Sequence, residues 1–180
     1  MALMNSAELI RRFDTAEESL CLTFNRFSER RGICVFFAAV SRLGDGIFWY
    51  TLILALPLLF GLGASIRTVQ LAVTGFVGVA IYKFLKHRFV RERPYISHLR
   101  IHAGAAPLDR YSFPSGHTLH AVSFAIMITA YFPVLGWLVV PFAIAVALSR
   151  VVLGLHYPTD VAVGAGIGAT LAFASMSFVA

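Results

Sequence analysis

The chain has 180 residues, 58% of them hydrophobic and 13% charged, with a mean hydropathy of +0.78 and a formal net charge of +6. A water-facing domain carries about 25% charged residues, so the composition excludes an ordinary soluble globular protein and an intrinsically disordered one. The basic balance has no solvated domain behind it for nucleic acid and suits anionic lipid or a phosphorylated substrate instead. Two cysteines, Cys21 and Cys34, form no CxxC pair and suggest neither a disulfide framework nor a metal site. The expected fold is all-α: a polytopic transmembrane helical bundle of five to six membrane helices with an N-terminal amphipathic helix, in one domain over 1–180.

Residues 1–31 are mixed and charged, and no secretory leader is expected there because Glu8, Arg11, Arg12, Asp14, Glu17 and Glu18 interrupt the first twenty residues. Leu9, Ile10, Phe13, Leu20, Leu22, Phe24 and Phe27 recur at helical spacing, which predicts an interfacial amphipathic helix over 6–31. The apolar stretch 32–41 is too short to span alone, so a first crossing there is partial, re-entrant or an extension of the preceding helix. Gly44-Asp45-Gly46 reads as a turn. Membrane helices are predicted over 46–66, with Trp49 and Tyr50 as interfacial anchors, and over 68–89. A polar connection at 90–113 leads into helices over 115–132 and 134–152. These two fill a 39-residue run, Tyr111 to Ser149, without Lys, Arg, Asp or Glu. A last helix over 158–178 carries Gly164, Gly166 and Gly168, suited to close packing.

By alternation, the helix ends near 89, 115, 152 and 158 share one face, termed A, and residue 67, the 133–136 turn and the C-terminus share the other, B. If the first segment crosses, the N-terminus joins face B. Face A then holds nine Lys and Arg and face B six. The positive-inside rule would put A in the cytoplasm, but any three catalytic cations on A would level the count.

Polar clusters converge on face A. Lys86, Arg93 and Arg150 provide cations, two of them forked guanidiniums that match phosphate oxygens. Pro114 and Ser115 read as a helix opening whose amides at Ser115, Gly116 and His117 form an anion site. Pro158 suits the first position of the last helix, placing Asp160 third, from where its carboxylate reaches back toward His156 as in a capping box. A carboxylate on one imidazole nitrogen makes the other more nucleophilic. His156 is then suited to attack phosphorus, and His117 to protonate the leaving oxygen.

The pattern Lys86-x6-Arg93-Pro94, Pro114-Ser115-Gly116-His117 and Ser149-Arg150-x5-His156-x3-Asp160 resembles the type 2 phosphatidic acid phosphatase superfamily, whose site is shared with vanadium haloperoxidases. All three motifs stand in order over about 83–160. The resemblance implies a metal-independent membrane lipid phosphatase with a six-helix core, no cofactor, a phosphohistidine intermediate and a site on the extracytoplasmic face of a bacterial inner membrane. It implies His156 as nucleophile, Asp160 as its orienting partner and His117 as general acid, with Lys86, Arg93, Ser115, Gly116 and Arg150 holding the phosphate. Undecaprenyl diphosphate, phosphatidylglycerophosphate and phosphatidic acid are the candidate lipids. A lipid phosphotransferase using the same site and a proton-coupled transporter are the alternatives.

The remaining polar residues have plainer readings. Lys83, Arg88, Arg91 and Arg100 are expected to be snorkelling anchors. Glu92 and Asp109 are expected in loop ion pairs, Ser149 in support of Arg150 or a neighbour, and His87, His98, His102 and His120 receive no role.

Overall fold

The computed structural model describes residues 6–178; the side chains of Leu9, Ile10 and Phe13, part of the predicted amphipathic stripe, lie outside the described residues. The elements are α1 (Ser6–Asn25), α2 (Arg31–Arg42), a π-helical turn (Leu43–Ile47), α3 (Phe48–Phe60), α4 (Ser65–Arg88), α5 (Pro94–Ser97), α6 (Gly116–Tyr131), α7 (Gly136–Val152) and α8 (Pro158–Ser177). Among the described residues, four helical stretches are long and apolar enough to cross a membrane: Arg31–Phe60, Leu62–Arg88, Pro133–Val152 and Pro158–Ser177. α6, at 16 residues, is shorter and lies between them, packed on α4, α7 and α8. The result is the expected all-α transmembrane bundle.

In lipid, an apolar side chain gains little by leaving its surroundings, so helices associate through close packing and polar links. The distribution of side chains follows this. Leu54, Leu58, Phe76, Trp137 and Phe173 point outward, while Trp49, Leu56, Leu71, Met127, Ile128, Val139 and Val146 fill the centre. α8 lies so close to α6 that a Cβ at Gly164 would stand 2.6 Å from the Ser115 carbonyl, and one at Gly168 would stand 2.3 Å from that of Leu119. Gly166 faces open space and takes no part, contrary to the expectation for all three glycines; two residues from either neighbour, it lies on another face of the helix. At face B, Gln70 of α4 donates to the Ser175 carbonyl of α8 and accepts from the Tyr131 hydroxyl of α6, tying the three helices together.

Two boundaries differ from expectation. The 32–42 stretch makes no crossing of its own and does not extend the preceding helix; it continues downward through the π-helical turn into α3 as one 30-residue span. Gly44-Asp45-Gly46 forms the expected turn as a kink, where Gly46 leaves helical geometry between α2 and α3. Gly46 has φ of 135°, and Gly44 lies against Val146, where a Cβ would approach to 2.9 Å. α3 then ends at Phe60 rather than Ile66, because Gly61 takes a φ of 81° and stops it.

These corrections move the N-terminus. α1 packs on the face A end of the bundle, where the Asn25 amide donates to the carbonyls of Val152 and His102 at 3.0 and 2.9 Å. Arg12, Arg26, Arg30 and Arg31 thus belong to face A, and among the described residues Arg67 is the cation left at face B.

Candidate active site

Each motif residue is delivered by the end of a helix. Lys86 lies in the last turn of α4, where its buried ammonium donates to Oδ1 of Asp109 and to the Tyr111 carbonyl, both at 2.7 Å. Arg93 caps α5 and is 1% exposed. Its Nη2 donates to the same Asp109 Oδ1 at 2.7 Å and its Nη1 to the Leu155 carbonyl at 2.7 Å. One carboxylate oxygen therefore bridges the two cations of the first motif. Burial would raise the Asp109 carboxyl, but the Lys86 hydrogen bond and the charges of Lys86 and Arg93 bring it below its ordinary value. The loop ion pair expected of Asp109 is present, and its partners are motif residues.

The third motif wraps around the C-terminus of α7. The amides of Leu155 and His156 both donate to the Arg150 carbonyl, at 3.1 and 3.0 Å, across a turn in which Gly154 has φ of 69°. A Cβ at Gly154 would lie 2.8 Å from the His102 carbonyl, so the position needs glycine for room as well as for backbone angle. This turn carries His156 back over Arg150. Arg150 is buried, donates from Nη1 to the Ser41 hydroxyl, and keeps an Nε without a hydrogen-bond partner. Ser149 bonds the Val146 carbonyl of its own helix at 2.6 Å.

His156 is 1% exposed, and its Nε2 lies 3.2 Å from Arg93 Nη1. A guanidinium can only donate, so Nε2 carries the lone pair and Nδ1 the proton. Burial, followed by the charges of Arg150, Arg93 and Lys86, holds the His156 pKa well below the ordinary 6.5, so the ring is neutral at pH 7.

Asp160 sits third in α8, where its Oδ2 accepts from the Tyr157 amide at 2.9 Å in a capping box. It stands 3.6 Å from His156 Nδ1, too far for a hydrogen bond. Its other oxygen accepts from Arg91 Nη1 at 2.7 Å, and Arg91 Nη2 in turn meets Glu17 of α1. Arg91 also stacks 3.9 Å above the Tyr157 ring. Burial disfavours its charge, but Asp160 and Glu17 outweigh burial and raise its pKa above the ordinary value. Arg91 is thus no snorkelling anchor, because two buried carboxylates hold it inside the protein. Arg100 lies 3.6 Å from Glu18.

In the second motif Ser115 caps α6 through its hydroxyl, which accepts from the Thr118 amide at 3.4 Å, and its own amide donates to the Asp160 carbonyl at 3.0 Å. Ser115 is fully buried behind the site, whereas Gly116 and His117 face a cavity of about 510 Å³. Lys86, Arg93, Arg150 and His156 line the same cavity, and Asp160 stands behind His156. The seven predicted residues other than His156 therefore gather around it, at the cavity or directly behind it. His117 bonds through Nε2 to Asp45 of the π-helical turn. His120, one turn further along, bonds the carbonyls of Gly116 and Gly75. Cys21 and Cys34 are free, and burial, followed by the nearby Glu17 and Asp160, pushes the Cys21 thiol up to about 12, far from a nucleophile.

Asp45, Arg91 and Glu17 have no place in the three motifs. An acid inside an apolar run is a functional candidate by default, which was the signal available for Asp45. Glu17, among the mixed charges of α1, offers no such signal.

Comparison with known proteins fits this geometry. The profile of the PAP2 superfamily matches residues 67–180. Undecaprenyl-diphosphatase BcrC of Bacillus subtilis is 34% identical over 113 residues, which are 62% of this chain and 58% of BcrC, so the match spans less than two thirds of that protein. Decaprenylphosphoryl-5-phosphoribose phosphatase of Mycobacterium tuberculosis is 34% identical over 146 residues, 79% of this chain and 78% of that protein. The crystal structure of Aquifex aeolicus LpxE matches with a TM-score of 0.74 at 26% identity, covering 86% of this chain and 93% of LpxE. A PAP2 type phosphatidylglycerolphosphate phosphatase from Bacillus subtilis shares the fold with a TM-score of 0.71 at 24% identity, over 93% of this chain and 86% of its own.

Proposed function

This chain belongs to the PAP2 superfamily, and on that footing we propose that it is an integral membrane lipid phosphatase that hydrolyses a phosphomonoester or diphosphate head group through a phosphohistidine on His156. The observation that carries this reading is the His156 ring, its Nε2 3.2 Å from Arg93 Nη1 in a cavity lined by Lys86, Arg150 and His117. A phosphoryl group entering there takes over the donors of Lys86 and Arg93 that Asp109 now occupies, and the unpartnered Nε of Arg150. Three cations around one phosphate stabilise the charge that builds on its equatorial oxygens. They also remove the need for a metal ion.

His156 Nε2 attacks phosphorus; the N–P bond forms as the P–O bond to the lipid breaks, and His117 gives its proton to the departing oxygen. Asp160, behind the ring, faces the positive charge that forms on it. Water then attacks the phosphohistidine, His117 takes its proton, and inorganic phosphate leaves. The Trp49, Tyr50, Val79 and Tyr82 side of the cavity, between α3 and α4, suits the adjoining lipid chain. Lys83 and Arg110 also line the cavity beyond the motif cations. Their charge favours a diphosphate, and hence undecaprenyl diphosphate, over phosphatidylglycerophosphate and phosphatidic acid.

Rapid-quench labelling with radiolabelled lipid phosphate tests the mechanism. An acid-labile, alkali-stable phosphoenzyme is expected, absent in His156→Ala and unaffected by EDTA. Turnover of His156→Ala at the wild-type rate would refute it, and phosphate appearing on a lipid acceptor in place of free phosphate would make the protein a phosphotransferase. The extracytoplasmic placement of face A follows the family resemblance against the charge distribution. A C-terminal fluorescent-protein fusion reads it directly, since face B would then lie in the cytoplasm.

A further inference from the structure

Asp45 lies outside the region matched by the PAP2 profile and in none of the three motifs, yet its carboxylate bonds Nε2 of His117 and lines the cavity. The backbone that delivers it is unusual. Gly46 leaves helical geometry, with φ of 135°, where α2 and α3 meet in a kink, and the kink requires glycine on both sides of Asp45. A Cβ at Gly44 would meet Val146, and one at Gly46, with its positive φ, would stand 2.5 Å from the Tyr50 ring. Ser41, four residues earlier on the same helix, accepts from Arg150. One helix face thus reaches two members of the proposed site.

From this geometry we infer that Asp45 is a positioning residue for His117, fixing its tautomer and steadying its charged form; the inference rests on the phosphatase reading above. A carboxylate accepts only, so Nε2 bears a proton toward Asp45, and Nδ1 is the nitrogen left to serve the reacting oxygen. In the charged ring, Nδ1–H passes its proton to the lipid oxygen as the P–O bond breaks, while Nε2–H stays on Asp45. The attacking water later returns a proton to Nδ1. Asp45 itself touches neither phosphorus nor the leaving group. Its loss should therefore appear where proton donation limits the rate and vanish where it does not.

The test compares Asp45→Asn with wild type on a lipid phosphate, whose alkoxide is a poor leaving group, and on p-nitrophenyl phosphate, whose phenolate needs little help. The expected result, read as the single-turnover rate of phosphoenzyme formation, is a fall of roughly 100-fold on the lipid and of less than about threefold on the nitrophenyl ester, with KM little changed. Asp45→Asn should add almost no loss to His117→Ala, and Asp45→Glu should restore part of kcat on the lipid. An equal fall on both substrates, or no fall on the lipid, overturns the inference. Imidazole ¹⁵N shifts of wild-type protein provide a measurement independent of any variant's folding. At pH values where the His117 ring is neutral, protonation at Nε2 is expected, and protonation at Nδ1 overturns the assignment. Failure of the phosphatase reading itself would show separately, as wild-type protein inactive on both esters or His117→Ala fully active on the lipid.

Discussion

Nδ1 of His156 and Oδ2 of Asp160 stand 3.6 Å apart, both buried, without a hydrogen bond between them. Asp160 instead bonds the Tyr157 amide and Arg91. Its influence on His156 in this geometry is that of a charge held close by, in surroundings where charge is poorly screened. In the proposed mechanism that influence grows as the ring becomes cationic during attack on phosphorus. Asp160→Asn keeps an oxygen for the Tyr157 amide and loses the charge. Its kcat should fall roughly 100-fold or more with KM changed less than about threefold, and single-turnover labelling should show slow phosphoenzyme formation. If labelling keeps its wild-type rate and only thermal stability drops, Asp160 is a helix cap and nothing more.

In the proposed mechanism the depressed pKa of His156 sets the acid side of the pH profile. Burial and the flanking cations disfavour the imidazolium, so the reactive neutral form persists as pH falls past 6.5 and is lost only well below it. The acid limb of kcat/KM should accordingly lie below 6.5. Replacing Lys86 with Met removes one neighbouring charge and should move that limb upward while lowering the rate. A wild-type limb at or above 6.5 would contradict the neutral, cation-flanked ring. The same shift acts on stability in a definite direction: the unfolded chain takes up this proton first, so His156 weakens the fold as pH drops below 6.5.

Glu17 ties α1 to the back of the site. Its Oε1 accepts from the Thr159 amide at 3.0 Å and its Oε2 meets Arg91, which holds Asp160. Removing one partner of a buried ion pair costs about 3–5 kcal/mol; with Arg91 31% exposed, about 3 kcal/mol is expected for Glu17→Ala. The midpoint of thermal unfolding in detergent should fall, and kcat should fall with it because Arg91 then pulls on Asp160 alone. A Glu17→Ala protein with wild-type midpoint and kcat would make α1 an accessory to the bundle.

The contrast between Lys86 and Glu17 shows what was legible in the sequence. Lys86, Arg93, His117, His156 and Asp160 occupy helix ends at fixed spacings, and an apolar background makes each polar residue conspicuous. The helices themselves follow from long uncharged runs. Glu17 and Arg91 meet across 74 residues of chain, and a pairing between a terminal helix and a loop leaves no local periodicity. The glycines around Asp45 pointed to a turn because their usual use is to break helices. Gly46 does kink the chain there, and both glycines also make room against Val146 and Tyr50. Backbone crowding of that kind depends on neighbours contributed by distant segments.

The glycines of α8 allow an internally controlled test of that crowding. Gly168 faces the Leu119 carbonyl, where a Cβ would come within 2.3 Å of a backbone oxygen that cannot rotate away, whereas Gly166 meets nothing within 4 Å. Gly168→Ala must push α8 away from α6, and because α6 presents Gly116 and His117 while α8 presents Asp160, the displacement reaches the site. Overpacking of this kind costs about 1–3 kcal/mol. Gly166→Ala, on the open face, relieves backbone entropy at no steric cost and should be neutral or stabilising by up to about 1 kcal/mol. Thermal unfolding in detergent and kcat on lipid phosphate should therefore both fall for Gly168→Ala and hold for Gly166→Ala. Equal effects of the two substitutions would mean that the α6–α8 contact yields more readily than its backbone geometry implies.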